Sequence, residues 1–458
     1  MQTLADYCEQ IKELYSEGKS NSLKFQEILD LFKDKINGSF TKEEIRKNSE
    51  CVSKIVFTLS KLKKHDQAVN FIDNYLGIDL KDINNDYVVR TYGWCLFHSM
   101  KGKYLENDTR EDFESDFSDD FNSTIEMEVE EYYKKIDNVK NILGIKKEEN
   151  SVVVRLIFGF SKVVAKKAKN KWELALELLE KIDIDLLNRN TTAKVYKGKP
   201  KEFASDYETW HAKIAKAYYE LGKYEECKKF SLDCLNANIL SHYDNDIWFK
   251  RRIALSDYHI GNLEAALSGI KEVIKIKKDW FVQKELAEIY YGLENYEDAL
   301  KYAIDSTLNR GELKVKWELY YLIYQILMKI DDITNALLFL KFAASIRLKE
   351  GWKLGEKLQN SLDKNNISME SIDFNSLQKK IENFANSMLK VGEIKNINYQ
   401  SKMGFISDSI GDTYFRFNVV KGRPDKLQQG DEVYFSSDIS YDRKKERDSI
   451  AAVFVLKK

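Results

Sequence analysis

The side chains best suited to chemistry in this 458-residue chain are few and dispersed. Its five histidines, His65, His98, His211, His242 and His259, make no His-x-x-x-His or Glu-x-x-His pattern, so neither a metal site nor a metal cofactor is expected. Gly18-Lys19-Ser20 lacks the glycine-rich loop after a strand that a phosphate cradle needs, and no glycine elbow frames a serine. The cysteines Cys8, Cys51, Cys95, Cys227 and Cys234 are odd in number and never spaced Cys-x-x-Cys, which argues for reduced thiols without disulfides or zinc. Cys227 and Cys234 share one helix face and read as core. No catalytic constellation is visible, and a non-enzyme is expected.

What remains is binding chemistry. Toward the carboxy terminus, Phe405, Tyr414 and Phe417 stand among Lys395, Lys402 and Arg416, with further cations at Lys421, Arg423, Lys426, Arg443, Lys444, Lys445 and Arg447. Rings that stack on unpaired bases and cations that neutralise phosphates together suit single-stranded RNA or DNA. A second set, Lys216, Tyr219, Trp248, Arg251, Tyr258, Lys284 and Tyr291, suits an extended peptide or an acidic tail of a protein partner. The alternative for this set is burial between neighbouring helices.

Composition constrains the elements that must position these groups. Hydrophobic content of 43% with 32% charge is that of a globular protein, and the length suggests roughly three units at about 150 residues each. A formal charge of -1 makes any electrostatic footprint local. The amino terminus lacks a signal pattern and no apolar run approaches the ~18 residues of a membrane span, so no membrane partner and a cytoplasmic location are expected. Only 2 prolines permit long helices.

The clearest repeat unit is Trp210–Leu235, a helical pattern closed by Gly222 and restarted at Tyr224; the layout returns at 253–274 and 281–308. Small residues sit twelve apart on the two helices of each unit: Ala215 and Cys227, Ala254 and Ala266, Ala287 and Ala299. Close helix packing needs small side chains there. Successive second-helix markers are 39 and 33 residues apart. These segments resemble tetratricopeptide repeats, which implies stacked helical hairpins with a groove lined by first helices. Weaker copies flank them at 313–346 (Ala336, Ala343), 163–182 (Trp172, Ala175) and 56–75 (Ala68). Arg252 and His259 have a separation seen in some helical ribonucleases, but Ala254 between them must pack inside a repeat, which argues against cleavage.

Two stretches interrupt the pattern. Glu106, Asp108, Glu111, Asp112, Glu114, Asp116, Asp119 and Asp120 are opposed only by Arg110, and read as a solvated loop or as an acidic segment that shields a basic surface or docks a partner. The stretch 188–206, with Gly198 and Pro200, reads as an inter-repeat loop. Residues 359–369 read as a polar linker, followed by a helix carrying Phe374, Leu377, Ile381, Phe384 and Met388.

From Val391 short alternating runs at 392–398, 404–407, 413–418, 432–437 and 450–456 predict five strands of a small closed barrel. Gly392-Glu393-Ile394-Lys395, then Lys402-Met403-Gly404-Phe405-Ile406, then Thr413-Tyr414-Phe415-Arg416-Phe417, and finally Leu427, Gly430, Val433 and Phe435, resemble the cold-shock domain over about 65 residues. The resemblance implies an OB-type barrel with an aromatic platform. Asn396, Ile397 and Met403 stand where the family has aromatics, so Phe405, Tyr414 and Phe417 are the platform that survives, with Arg416 at a histidine position; the alternative is that Phe405 and Phe417 are barrel core and the basic loops simply solvated. At about 1–3 kcal/mol per stacked base, the loss predicts weak or strongly salt-dependent binding.

The expected fold class is thus multidomain α + β, an α-solenoid of tetratricopeptide-like hairpins followed by a small five-stranded OB/cold-shock-like barrel. The expected organisation is 1–102 helical repeats, 103–131 acidic insertion, 132–358 solenoid, 359–389 linker and helix, and 390–458 barrel. The combination resembles proteins of bacterial conflict systems against phage and mobile elements. It implies an adaptor or sensor coupling nucleic acid to a protein; the alternative is a protein scaffold whose barrel has lost its platform.

Overall fold

The structure is a computed structural model and describes residues 2–105, 123–146, 151–196, 199–237, 242, 245–369, 372–442 and 446–458. The acidic residues Glu106 to Asp120, as well as Arg443, Lys444 and Lys445, lie outside the described residues. The chain divides into two compact units, Met1–Lys223 with Ile239–Tyr243, and Tyr224–Asn238 with Asp244–Lys458. Among the described residues no helix is long and apolar enough to cross a membrane.

The first unit holds helices α1 (Leu4–Gly18), α2 (Leu23–Leu31), α3 (Lys42–Lys47), α4 (Ser49–Lys61) and α5 (His65–Asn70). It continues with α6 (Asp86–Leu105), α7 (Ser123–Leu143), α8 (Val152–Lys167), α9 (Trp172–Glu180) and α10 (Asp206–Glu220). Its core is built from apolar faces such as Val152, Leu156, Ile157, Phe160 and Val164 on α8, all buried. The stretch expected to be an inter-repeat loop instead contains a hairpin, β1 (Thr192–Tyr196) with β2 (Lys199–Phe203), antiparallel in the register Val195 to Pro200. Pro200 obscured it, yet in a sheet of two strands both strands are edges, where a residue without an N–H is tolerated.

The second unit holds α11 (Tyr224–Asn236), α12 (Asp246–His259), α13 (Leu263–Ile276), α14 (Trp280–Gly292) and α15 (Tyr296–Leu308). Then come α16 (Trp317–Lys329), α17 (Ile333–Lys349), α18 (Glu356–Lys364) and α19 (Phe374–Ser387). The pairs α12/α13, α14/α15 and α16/α17 are consecutive packed hairpins, a helical repeat array. The small markers Ala254, Ala266, Ala287, Ala299, Ala336 and Ala343 are all buried. A Cβ on Gly269 would stand 2.9 Å from Cβ of Ala254, which shows how closely α12 and α13 approach.

One turn geometry ends several first helices. Gly222, Gly261, Glu294 and Asp331 take left-handed φ of 70°, 89°, 60° and 59°. The next residue's N–H then bonds five residues back, as in Asn295 N to Tyr290 O at 3.0 Å and Asp332 N to Leu327 O at 3.0 Å. Lys63, with φ 57°, makes the same turn between α4 and α5, which identifies the weak copy around Ala68 as a hairpin of the same kind. Asn295 and Asp332 then cap the second helices by accepting from Asp298 N and Asn335 N.

The stretch expected as a polar linker is half helix. Leu358 and Leu362, one turn apart on α18, are buried, and two apolar residues suffice because α17 supplies the rest of the contact. In α19 the expected helix packs on the last hairpin: Phe384 meets Phe339 edge-on at 5.3 Å and Phe374 lies 5.5 Å from Phe342.

Five strands close the chain: β3 (Lys390–Asn398), β4 (Met403–Ser407), β5 (Asp412–Arg416), β6 (Glu432–Asp442) and β7 (Arg447–Lys457). β3 pairs with both β4 and β6, β4 with β5, and β6 with β7, all antiparallel; β5 meets β7 in parallel at Tyr414 and Ala451. Ile394, Ile406, Phe415, Leu427, Val433, Phe435, Ala452 and Val455 form the sheet's core. Gly404 is required here: a Cβ would lie 2.6 Å from the Asn396 carbonyl oxygen and 2.6 Å from the Phe415 ring. The sheet rests on the helices through β6 and β7, which touch α13 and α15.

Candidate functional site

Alternation along two short strands decides which side chains face outward. On β4, Gly404 and Ile406 are buried while Met403, Phe405 and Ser407 are partly open; on β5, Thr413 and Phe415 are buried while Tyr414 is partly open and Arg416 exposed. The register sets Phe405 opposite Tyr414, Met403 opposite Arg416, and Asn396 of β3 opposite Phe405. The two rings meet edge to face at 5.6 Å, and Arg416 Nε donates to the Tyr414 hydroxyl at 3.1 Å.

The expected residues do not all join this patch. Phe417 shares the parity of Thr413 and Phe415, so it packs on the sheet's core and stacks on Phe415 at 6.4 Å. That parity was legible in the sequence. Lys395 is exposed but ion-paired to Asp412, whose carboxyl is held below the usual range by that bond. Lys402 occupies the β3–β4 turn with φ 54°, its carbonyl accepting from Phe417 N and its side chain exposed. Arg423 pairs with Asp425 at 3.1 Å. Tyr399, absent from the expected set, lies edge-on to Phe417 at 5.9 Å and donates its hydroxyl proton to the Leu427 carbonyl. Its position just before Lys402 in the turn was the available signal.

On the helical array the first helices carry a ladder of ion pairs. Arg251 on α12 is buried and forks onto Glu285 of α14, with Nε to Oε2 at 2.8 Å and a second contact to Oε1. Lys284 bonds Glu288 at 2.8 Å and reaches Glu318 of α16 at 3.3 Å. Burial disfavours the Lys284 charge, yet Glu288 and Glu318 outweigh it and hold the ammonium above its ordinary range. Trp248 stands 6.2 Å from Phe281, with Arg251 over the Phe281 ring at 5.0 Å and Lys277 over Trp248 at 5.5 Å. Tyr258 and Tyr291 are partly buried, and burial raises both phenols. These five residues share the first helices of the second unit; Lys216 and Tyr219, half-buried on α10, belong to the first.

Arg252 is buried, and His259 is stacked flat on Tyr224 at 4.2 Å. Both are engaged in packing rather than arranged around an open site. Among the described residues no group of three or more His, Cys, Asp or Glu is placed to hold a metal ion.

No family model matches the sequence, and no curated protein matches it. Among solved structures, the chain is similar to a tetratricopeptide repeat protein from Parabacteroides merdae ATCC 43184, with 12% identity over 70% of this chain and 97% of that one, at a TM-score of 0.40. It is also similar to NprR in complex with its cognate peptide NprX, with 16% identity over 74% of this chain and 89% of that one, at a TM-score of 0.39.

Proposed function

We propose that this protein is a non-enzymatic adaptor in which the five-stranded sheet, read as a cold-shock-like OB barrel, binds single-stranded nucleic acid, RNA in preference, and the helical repeats bind a protein. The observation that carries the nucleic-acid half is the outward pair Phe405 and Tyr414, directly opposed on β4 and β5 with Arg416 bonded to the tyrosine. Two adjacent rings and a guanidinium supply stacking surface and phosphate neutralisation in one patch. The helices touch the sheet through β6 and β7. The first-helix face with Trp248, Tyr258 and Tyr291 is the surface for a peptide; the ion pairs on Arg251 and Lys284 balance its charge, which favours a neutral or mixed segment over an acidic tail. A place in bacterial antiphage defence follows only from the sequence resemblance and is tested by phage challenge of cells with and without the protein.

Fluorescence anisotropy of the full chain with labelled oligo(U) and oligo(dT) at low salt tests the first half. Saturable binding that falls in a Phe405→Ala/Tyr414→Ala variant is the expected result. Absence of binding, or binding indifferent to that change, removes the nucleic-acid role and leaves the scaffold reading, with co-purification identifying what the repeats hold.

A further inference from the structure

The first unit contains a cleft unrelated to the sheet. Ser60 and Lys61 end α4, Lys63 forms the left-handed turn, and His65 opens α5. Facing them, Thr91, Trp94 and His98 fall at spacings of three and four along one side of α6. These seven residues line an open cleft of about 580 Å³, within the ~300–1,000 Å³ typical of small-molecule sites.

Its walls combine flat rings with cations. His65 and His98 stack at 4.7 Å with planes 23° apart, and Trp94 lies 6.2 Å from His98, tilted by 31°. His65 Nδ1 is buried without a hydrogen-bond partner; an orphaned lone pair costs less than an orphaned N–H, which puts the proton on Nε2 as a donor. Burial holds both imidazoles below their ordinary pKa, so the positive charge of the cleft comes from its lysines. Lys61 and Lys63 are exposed and have no ion-pair partner among the described residues. Thr91 Oγ1 donates to the Tyr87 carbonyl at 2.7 Å, which leaves its lone pairs to accept.

We propose that this cleft binds a nucleoside monophosphate, its base laid against Trp94 and the paired imidazoles and its phosphate held by Lys61 and Lys63. Planar anions of this size match both features at once, whereas inorganic phosphate uses only the lysines and a nucleoside only the rings. The site lies in a different unit from Phe405 and Tyr414 and stands independently of the proposed nucleic-acid patch.

Isothermal titration of the full chain with AMP, GMP, CMP and UMP tests it. At least one is expected to saturate below about 1 mM, with its nucleoside and inorganic phosphate each weaker by roughly tenfold or more. Lys61→Gln/Lys63→Gln, exposed changes that leave the fold intact by circular dichroism, is expected to weaken binding by at least about tenfold, as is Trp94→Leu. Phe405→Ala/Tyr414→Ala is expected to leave it unchanged. No saturation by any of the four, equal affinity for inorganic phosphate, or binding insensitive to the lysine change would overturn the proposal.

Discussion

Phe405 and Tyr414 stand directly opposite each other on β4 and β5, ring centroids 5.6 Å apart and planes at 65°. Such edge-to-face pairs gain from the opposed charge of ring edge and ring face, and the contact holds both side chains in place before any ligand arrives. Replacing either by alanine removes one stack of about 1–3 kcal/mol, so affinity for a single-stranded oligonucleotide is expected to fall by roughly 5- to 150-fold. Arg416→Ala is expected to lower the slope of log affinity against log salt by about one, read from anisotropy at several salt concentrations.

Asp305 on α15 gives the contact between sheet and helices a pH dependence. It is buried, and Ser436 of β6 bonds it, while its Oδ2 has no partner. The groups around it are Lys301, Asp438 and Lys278, with Tyr302 donating to Asp438 at 3.2 Å. Burial pushes the Asp305 carboxyl up to about 6, from 3.8. A pKa raised in the folded state adds stability that is complete below 3.8 and is lost as pH rises through about 6. Asp305→Asn is therefore expected to stabilise the second unit at pH 8, by an amount on the order of 2–3 kcal/mol, and to flatten its melting temperature between pH 4 and pH 8. Thermal melts across that range that superimpose for the two proteins would contradict the assignment.

Glu294 and Asp331 hold left-handed backbone where Gly222 and Gly261 hold it without cost. A side chain in that conformation costs roughly 1 kcal/mol, partly offset by the extra freedom glycine has when unfolded. Glu294→Gly and Asp331→Gly are each expected to raise stability by up to about 1 kcal/mol in urea titrations. The same change at Lys61, in a helix, is expected to lower it by about as much.

Gly404 has no room for a side chain between the Asn396 carbonyl and the Phe415 ring. Gly404→Ala is expected to cost about 3 kcal/mol or more and to abolish the sheet's cooperative unfolding while the helical signal persists. Retention of native near-ultraviolet dichroism in that variant would show that β3 and β4 can separate without loss.

Helical periodicity was enough to locate the hairpins from α12 to α17, helped from α12 to α15 by the small residues twelve apart, because each hairpin writes its own packing into local spacing. The five strands were legible for the same reason: alternation along each run names the inward residues Ile394, Ile406, Phe415, Val433 and Phe435. Tertiary structure decided the rest. Two buried leucines made a helix of α18, and only the packing of α17 against it shows that two suffice. The partners of Arg251, Lys284 and Asp305 come from residues up to 131 positions away, as Ser436 does for Asp305. Local spacing sets which way a side chain leaves the backbone; whether it meets solvent, a carboxylate or a ring depends on elements that only folding brings beside it.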